Sequence, residues 1–412
     1  MDATQRARQR LAELDAAGLL RRCPSVDHRR GVRYELDGRP VVGLCSNDYL
    51  GLAGDPRLAV DPSSSAGAGA SRLICGDLPE HRDLERRLAA LARTEDAVLF
   101  PSGFQLNVGV LPTLLEPHDR VDSDALNHAS LIDGMRLSPA RVTILEHARS
   151  PVTHPHPVPQ PHARPADARA IHWWITESIF SMDGDRLELD AARRHLDRGA
   201  AMYVDEAHAL GLFDGGQGWL GHHGIQPTVL VGTLSKALGC AGAFLGASGP
   251  LCALVRNRAR SFVFSTGTSP ALATRIGQAL AIVTGPEGDG LRERLWSNTR
   301  RLAEALGLPD ADDPPSPILP VLIGDNARAV GLAHALLELG WHVQAIRPPT
   351  VPAGTARLRI TVSAAHEPEQ LLAFADALLE LLAREGVPLR IERGAARSSA
   401  SPALPTLARR PA

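Results

Sequence analysis

Residues 201–239 read AMYVDEAHALGLFDGGQGWLGHHGIQPTVLVGTLSKALG. Two short apolar runs stand in this stretch, Ala201–Asp205 and Val229–Gly232, each bounded by turn residues. Runs of this length and character read as strands buried in a parallel sheet. Each ends in polar, reactive side chains: Asp205 and His208 after the first, Thr233, Ser235 and Lys236 after the second. In open α/β sheets ligands bind just beyond the carboxyl ends of the strands. The stretch therefore predicts two strands that deliver chemistry to one rim.

The same pattern extends outward. Further candidate strands are Ala97–Phe100, Arg120–Asp122, Val142–Leu145, His172–Glu177 and Ala243–Gly246, with helical stretches between most of them. From about residue 84 to 280 this alternation predicts an α/β fold with a mostly parallel sheet covered by helices on both faces. Ahead of it, residues 5–20 read as an amphipathic helix and 31–44 as a hairpin turning at Asp37-Gly38. Near Pro286 the pattern changes to a smaller α+β domain. It has helices at Leu291–Leu306, Ala327–Leu339 and Glu367–Arg384, and strands at Ile318–Ile323, His342–Ile346 and Arg357–Val362. The expected organisation is an extension over 1–45, a large domain over 46–285, a small C-terminal domain over 286–390 and a disordered tail over 391–412. Residues 148–166 hold six prolines and three histidines, His154, His156 and His162. With no Cys, Asp or Glu among them, they read as a solvated linker rather than a metal site.

Composition narrows the function. The chain has 412 residues, 44 basic and 46 acidic side chains and a formal net charge of −2, which leaves no basic footprint for nucleic acid or an anionic membrane. No apolar run is long enough to span a bilayer. Five cysteines without a C-x-x-C pair favour reduced thiols and a cytoplasmic location over disulfides or zinc. Of the 44 basic residues all but Lys236 are arginine. A coding bias that replaces lysine by arginine spares lysine only where a neutral amine is needed, because arginine cannot lose its proton. A Schiff base to an aldehyde needs such an amine. The bland alternative is a surface lysine that survived by chance.

The other strand ends supply Ser102-Gly103-Phe104, then Asn127, His128 and Ser130, then the run Glu177 to Gly184 with Ser181. Each has an ordinary reading: His128 as a helix-start histidine, Asp205 as a helix cap, Ser181 as a turn residue. Together they match what pyridoxal phosphate demands. The aldehyde needs an amine, Lys236. The ring nitrogen needs a carboxylate to stay protonated, Asp205. The phosphate needs a helix N-terminus and a hydroxyl, Gly103 with Phe104 and Thr233. The flat ring needs a planar partner, His128.

These segments resemble the α-oxoamine synthases, acyl-CoA-dependent enzymes of the pyridoxal-phosphate-dependent transferase fold type I. The carrying motifs are SNDYLGL (46–52), GAGASRLICG (67–76), SGFQLN (102–107), SDALNHASLIDGMRLS (123–138), FSMDGD (180–185), VDEAHALG (204–211), GTLSKALG (232–239) and FSTGTSP (264–270). Within the family, AIRPPTVPAGTARLRITVSAAHE (345–367) is similar to the branch that joins L-alanine to a pimeloyl thioester, carried on CoA or an acyl-carrier protein, with loss of CO2. Sister enzymes that use glycine or serine differ there.

The resemblance implies catalytic roles for Lys236, His128 and Asp205. It implies cofactor contacts from Gly103, Phe104, Ser181, Asp205, His208, Thr233 and Lys236, with Ser265 and Thr266 reaching across a homodimer interface. It implies that Arg359 takes the amino-acid carboxylate, with Asn47 at the mouth of the pocket. Arg21, Arg347 and Thr350 match positions that contact the acyl substrate. No metal is implied. The family often carries His-Asn-Asp after the strand at Val142–Leu145; here the text is Glu146-His147-Ala148-Arg149. That departure leaves the loop's geometry open.

Overall fold

The computed structural model describes residues 2–60, 64–148, 150–151 and 169–391, and it gathers the apolar runs into one seven-stranded sheet. The chain begins with α1 (Ala3–Ala16), β1 (Val26–Arg30), β2 (Arg33–Leu36) and β3 (Arg39–Gly43). Then come α2 (Pro79–Ala92), β4 (Asp96–Phe100), α3 (Gly103–Leu114), β5 (Arg120–Asp124), α4 (Ala129–Leu137) and β6 (Arg141–Leu145). Next are β7 (His172–Glu177), α5 (Leu189–Asp197), β8 (Ala201–Asp205), α6 (Trp219–His222), β9 (Val229–Thr233) and β10 (Ala243–Ala247). Four helices follow: α7 (Gly249–Arg258), α8 (Arg260–Val263), α9 (Pro270–Thr284) and α10 (Pro286–Ala305). The last part is β11 (Ile318–Gly324), α11 (Asn326–Glu338), β12 (Trp341–His342), β13 (Gln344–Ile346), β14 (Ala356–Thr361) and α12 (Pro368–Arg384).

The large sheet has the order β4-β10-β9-β8-β7-β5-β6. Strands β5 to β9 run parallel, while β10 is antiparallel to both β9 and β4. The link from Thr233 to Ala243 is too short for a crossover helix, so the chain turns straight back. Both faces are covered. Along β8, Ala201 and Tyr203 pack with Val98, Val121 and Val231, whereas Met202 and Val204 pack with Trp174 and Ala191 on the other side. Every residue of β8, β9 and β10 is buried, which explains their unbroken apolar sequence. Each such aliphatic side chain contributes roughly 1.5–3 kcal/mol, so the strand ends sit on a stiff base.

Two expectations need correction. The helix expected over 5–20 forms over Ala3–Ala16 with an Asp2–Gln5 capping box, but none of its residues is buried. Its apolar side chains, Leu11 and Leu14, are exposed. The strand expected over His342–Ile346 breaks at buried Val343, because the chain changes sheets there. β12 runs parallel to β3 in the sheet β1-β2-β3-β12, and β13 joins the antiparallel sheet β11-β14-β13. The first helix after residue 285 starts at Pro286, where proline suits the first turn and Glu287 and Asp289 favour the positive helix end. The histidines of the proline-rich insertion, His154, His156 and His162, and the tail from residue 392 lie outside the described residues. Among the described residues no helix is long and apolar enough to cross a membrane.

Candidate active site

At the carboxyl rim a cavity of about 170 Å³ opens between the ends of β4, β5, β7, β8 and β9. Gly103, Phe104, His128, Asp205, His208, Thr233 and Lys236 all line it. A larger groove of about 470 Å³ lies between α2 and α9, where Arg87 is spent on the Gly277 carbonyl, and it gathers no comparable set of reactive groups.

Lys236 follows β9 in a loop pressed against the segment after Tyr49. Gly239 there has φ +62°, and a Cβ on it would lie 2.3 Å from the Ala53 nitrogen. Only glycine allows that approach. The amine is crowded by protein while reaching the cavity. Burial lowers its pKa to about 8, against the pull of Asp205 and Glu177.

Asp205 is buried and fixed by two donors, Asn107 Nδ2 at 2.9 Å and the Ala207 N–H at 3.0 Å. Asn107 in turn accepts from Tyr203 Oη at 2.7 Å and donates to Ser130 Oγ at 2.9 Å. Ser130 meets His128 Nδ1 at 2.7 Å through its hydroxyl and donates its N–H to the same atom at 3.2 Å. One buried amide thus orients both the carboxylate and the imidazole. His128 is the N-cap of α4 and Asp205 accepts from the turn that follows it, so the ordinary capping roles and the cavity positions coincide.

Gly103 opens α3, whose first amides have no partner inside the helix. A Cβ on Gly103 would lie 3.1 Å from Thr233 Oγ1. The missing side chain leaves a cradle between amides and hydroxyl that suits a phosphate.

His208 is buried, and its Nδ1 lies 2.6 Å from Tyr49 Oη. Burial pushes the Tyr49 phenol up to about 12, so it remains a donor. Burial, then Lys236 and Arg359, hold His208 well below its usual pKa and therefore neutral. With Nδ1 accepting, its proton rests on Nε2.

Arg359, on β14, is 6 % exposed. Its Nε donates to the Ser181 carbonyl at 2.6 Å, and its Nη1 to Asn47 Oδ1 at 3.1 Å and Thr361 Oγ1 at 3.0 Å. Its Nη2 is buried without a hydrogen-bond partner. An unmet guanidinium N–H at this depth calls for an anion.

Arg359, Asn47 and the expected cofactor contact Ser181 are not among the residues lining the cavity, and the structure keeps the other expected residues apart from its wall as well. Ser265 Oγ accepts from Gln105 Nε2 at 3.0 Å, and Thr266 pairs with Ser71 in an isolated bridge. Arg21 reaches Thr350 Oγ1 at 3.4 Å, and Arg347 donates to the Gly18 carbonyl. The three residues expected for the acyl group thus meet, across most of the chain's length, at an exposed spot.

Sequence reasoning gave no role to Asn107, Tyr49 or Glu177. Glu177 lines the cavity, sits beside Asp205 in the β7–β8 register and accepts the His128 N–H at 2.6 Å. Burial and the Asp205 charge raise its pKa well above the usual range. The signal for Glu177 was available, since a carboxylate closing an apolar strand beside another such strand end must share its environment.

The donors present fit pyridoxal phosphate: one amine of depressed pKa, a fixed carboxylate, an anion cradle and a planar ring. A family model for aminotransferase class I and II matches residues 39–378. An 8-amino-7-oxononanoate synthase of Anaeromyxobacter dehalogenans (strain 2CP-1) is 43% identical over 90% of this chain and 94% of its own. One of Methylococcus capsulatus is 43% identical over 92% of this chain and 97% of its own. A serine palmitoyltransferase of S. paucimobilis, solved as a lysine-to-alanine variant with a bound PLP–myriocin aldimine, superposes with a TM-score of 0.82 at 25% identity, over 94% of this chain and 100% of that one.

Proposed function

The chain belongs to the aminotransferase class I and II family, and from that premise we propose that it acts as a pyridoxal-phosphate-dependent 8-amino-7-oxononanoate synthase. It joins L-alanine to a pimeloyl thioester, of CoA or an acyl-carrier protein, and releases CO2 and the free thiol, a step of biotin assembly. The observation that carries the reading is the chain's single lysine, whose amine is held near pKa 8 in a cavity shared with Asp205 and the Gly103–Thr233 cradle.

The cofactor supplies an aldehyde that takes up an amine and a protonated ring that accepts the electron pair left at the α-carbon. Lys236 would hold that aldehyde and Asp205 would face the ring nitrogen. Gly103, Phe104 and Thr233 would hold the phosphate, together with Ser265 and Thr266 of a second copy in a homodimer. His128 would cover the ring, while Ser181 and the Nε2–H of His208 would bond its phenolic oxygen.

Arg359 clamps the alanine carboxylate with the N–H that now lacks a partner, and Asn47 holds the guanidinium in place. Lys236 Nζ would be the base that takes the α-proton of alanine and later returns one. A pKa of about 8 keeps a working fraction of the amine neutral near pH 7.5. Arg21, Arg347 and Thr350 receive the far carboxylate of the pimeloyl chain. On this reading residues 46–285 form the cofactor domain, 286–390 the small domain that brings Arg359, and 1–45 the extension that brings Arg21. The enzyme is cytoplasmic, where its five free thiols stay reduced.

The test is the absorption spectrum of the purified protein, before and after L-alanine and then pimeloyl-CoA. A band at about 420 nm should appear, respond to alanine, and be followed by thiol release. Borohydride reduction and peptide mapping should place the pyridoxyl label on Lys236. A colourless protein would end the proposal, and faster turnover of glycine or serine would move it to a sister activity.

A further inference from the structure

Beyond the cavity, β6 leads into Glu146-His147-Ala148, where the sequence leaves the family pattern. The His147 side chain is only 8% exposed. Its Nδ1 lies 2.9 and 3.1 Å from the two oxygens of Asp124, and its Nε2 lies 2.8 Å from Asp185 Oδ2. The edge of its ring meets Phe180, with 4.5 Å between centroids. Two nitrogens that both face carboxylates must both donate, so the ring is an imidazolium. Burial opposes that charge, but the bonds to Asp124 and Asp185 prevail and push the pKa up to about 10.

Each carboxylate belongs to a loop of the active site. Asp124 ends β5, and its oxygens also accept the N–H groups of Leu126 and Ala148, at 2.7 and 3.1 Å. That turn leads directly to Asn127 and His128. Asp185 closes the turn after β7, where its carbonyl accepts the Phe180 N–H at 3.1 Å. Ser181 lies inside this turn, and its carbonyl holds Arg359. Asp183, in the same turn, pairs with buried Arg357 of β14.

We propose that His147 is a positioning residue, a bolt between the β5 loop that carries His128 and the β7 turn that steadies Arg359. It touches neither substrate nor cofactor. It sets the spacing between the imidazole that would cover the cofactor ring and the guanidinium that binds the amino-acid carboxylate. The inference rests on the functional reading above and deepens it. A cation at this place is the competing arrangement, since His147, Asp183 and Asp185 lie close enough together to share one. The bonding disfavours it: Asp183 is engaged with Arg357, and both ring nitrogens are spent on carboxylates.

The test uses the holoenzyme with His147→Gln, Asp185→Asn and the double variant. The readout is a spectral titration of the bound cofactor with L-alanine, alongside KM and kcat. The resting absorbance should stay as in wild type. The apparent Kd and KM for alanine should rise about tenfold in each single variant, with kcat changing less. The double variant should be no worse than the weaker single, as for two partners of one interaction. Effects that multiply in the double variant, or alanine affinity within about twofold of wild type in both singles, would overturn the proposal. Should His147→Gln not fold, Asp185→Asn, which keeps size and one acceptor, decides alone, and alanine affinity within about twofold of wild type in it would overturn the proposal. Failure of the functional reading shows separately, as a wild-type band that ignores alanine, and takes this proposal with it.

Discussion

Acidification should weaken the fold through His366, which lies between β14 and α12. The residue is 4 % exposed; its Nδ1 accepts the Ser363 N–H at 2.9 Å, and its Nε2–H donates to the Gly43 carbonyl at 3.1 Å. Burial lowers its pKa from 6.5 to about 4. The unfolded chain therefore takes up a proton near pH 6.5, and the folded one only near pH 4. The contribution is whole above 6.5 and drains as pH falls from there to 4; below that both states are protonated and nothing more is lost. At roughly 1.36 kcal/mol per pH unit the whole interval is worth about 3 kcal/mol, of which about 2 kcal/mol is gone by pH 5. Urea unfolding of wild type and His366→Gln, each at pH 7.5 and pH 5, isolates the effect. Wild type should lose about 2 kcal/mol more than the variant on acidification, whatever the substitution itself costs at pH 7.5. Losses equal within about 0.5 kcal/mol would refute the reasoning.

Lys236→Arg should retain the circular dichroism spectrum and lose turnover by at least about a thousandfold, because the charge persists and the amine does not. A variant that keeps a tenth of the activity would contradict the mechanism. Glu177 has its pKa raised above the unfolded value, so near neutral pH it costs stability that a neutral isostere recovers. Glu177→Gln, which still accepts the His128 N–H, should be about 1 kcal/mol more stable than wild type in urea at pH 7. Asn107→Ala removes the amide that orients Asp205 and Ser130. It should lower kcat/KM for alanine about a hundredfold while leaving the cofactor bound, as read by absorbance and steady-state rates.

The parts of the fold governed by local rules were legible. β7 and β8 match the expected spans to the residue, because apolar runs buried on both faces carry their own boundaries. The reversal of β10 was legible in principle from the short link after Thr233. The sheet change at Val343 was not, since His342 to Ile346 reads as one strand and only the partner strands decide where it breaks. In the site, the amine, the carboxylate and the anion cradle could be found because their chemistry restricts residue type. Asn107 and Tyr49 could not, because an amide and a phenol that orient other side chains obey no spacing rule. His147 was met only within a loop that departs from a pattern, and its two carboxylate partners, distant in sequence, give it meaning.

β10, running against its neighbours, sends its carboxyl end away from the rim and gives the pocket no side chain. It works as a spacer: with it in place, β4, which leads to the amides of the anion cradle, and β9, which leads to its hydroxyl and to the lysine, stand two interstrand steps apart, roughly 10 Å. The sheet thereby fixes how far apart the two walls of the pocket begin, one at Gly103 and the other at Thr233 and Lys236. Loops around the mouth can diversify toward other amino acids or acyl chains while that measure stays the same.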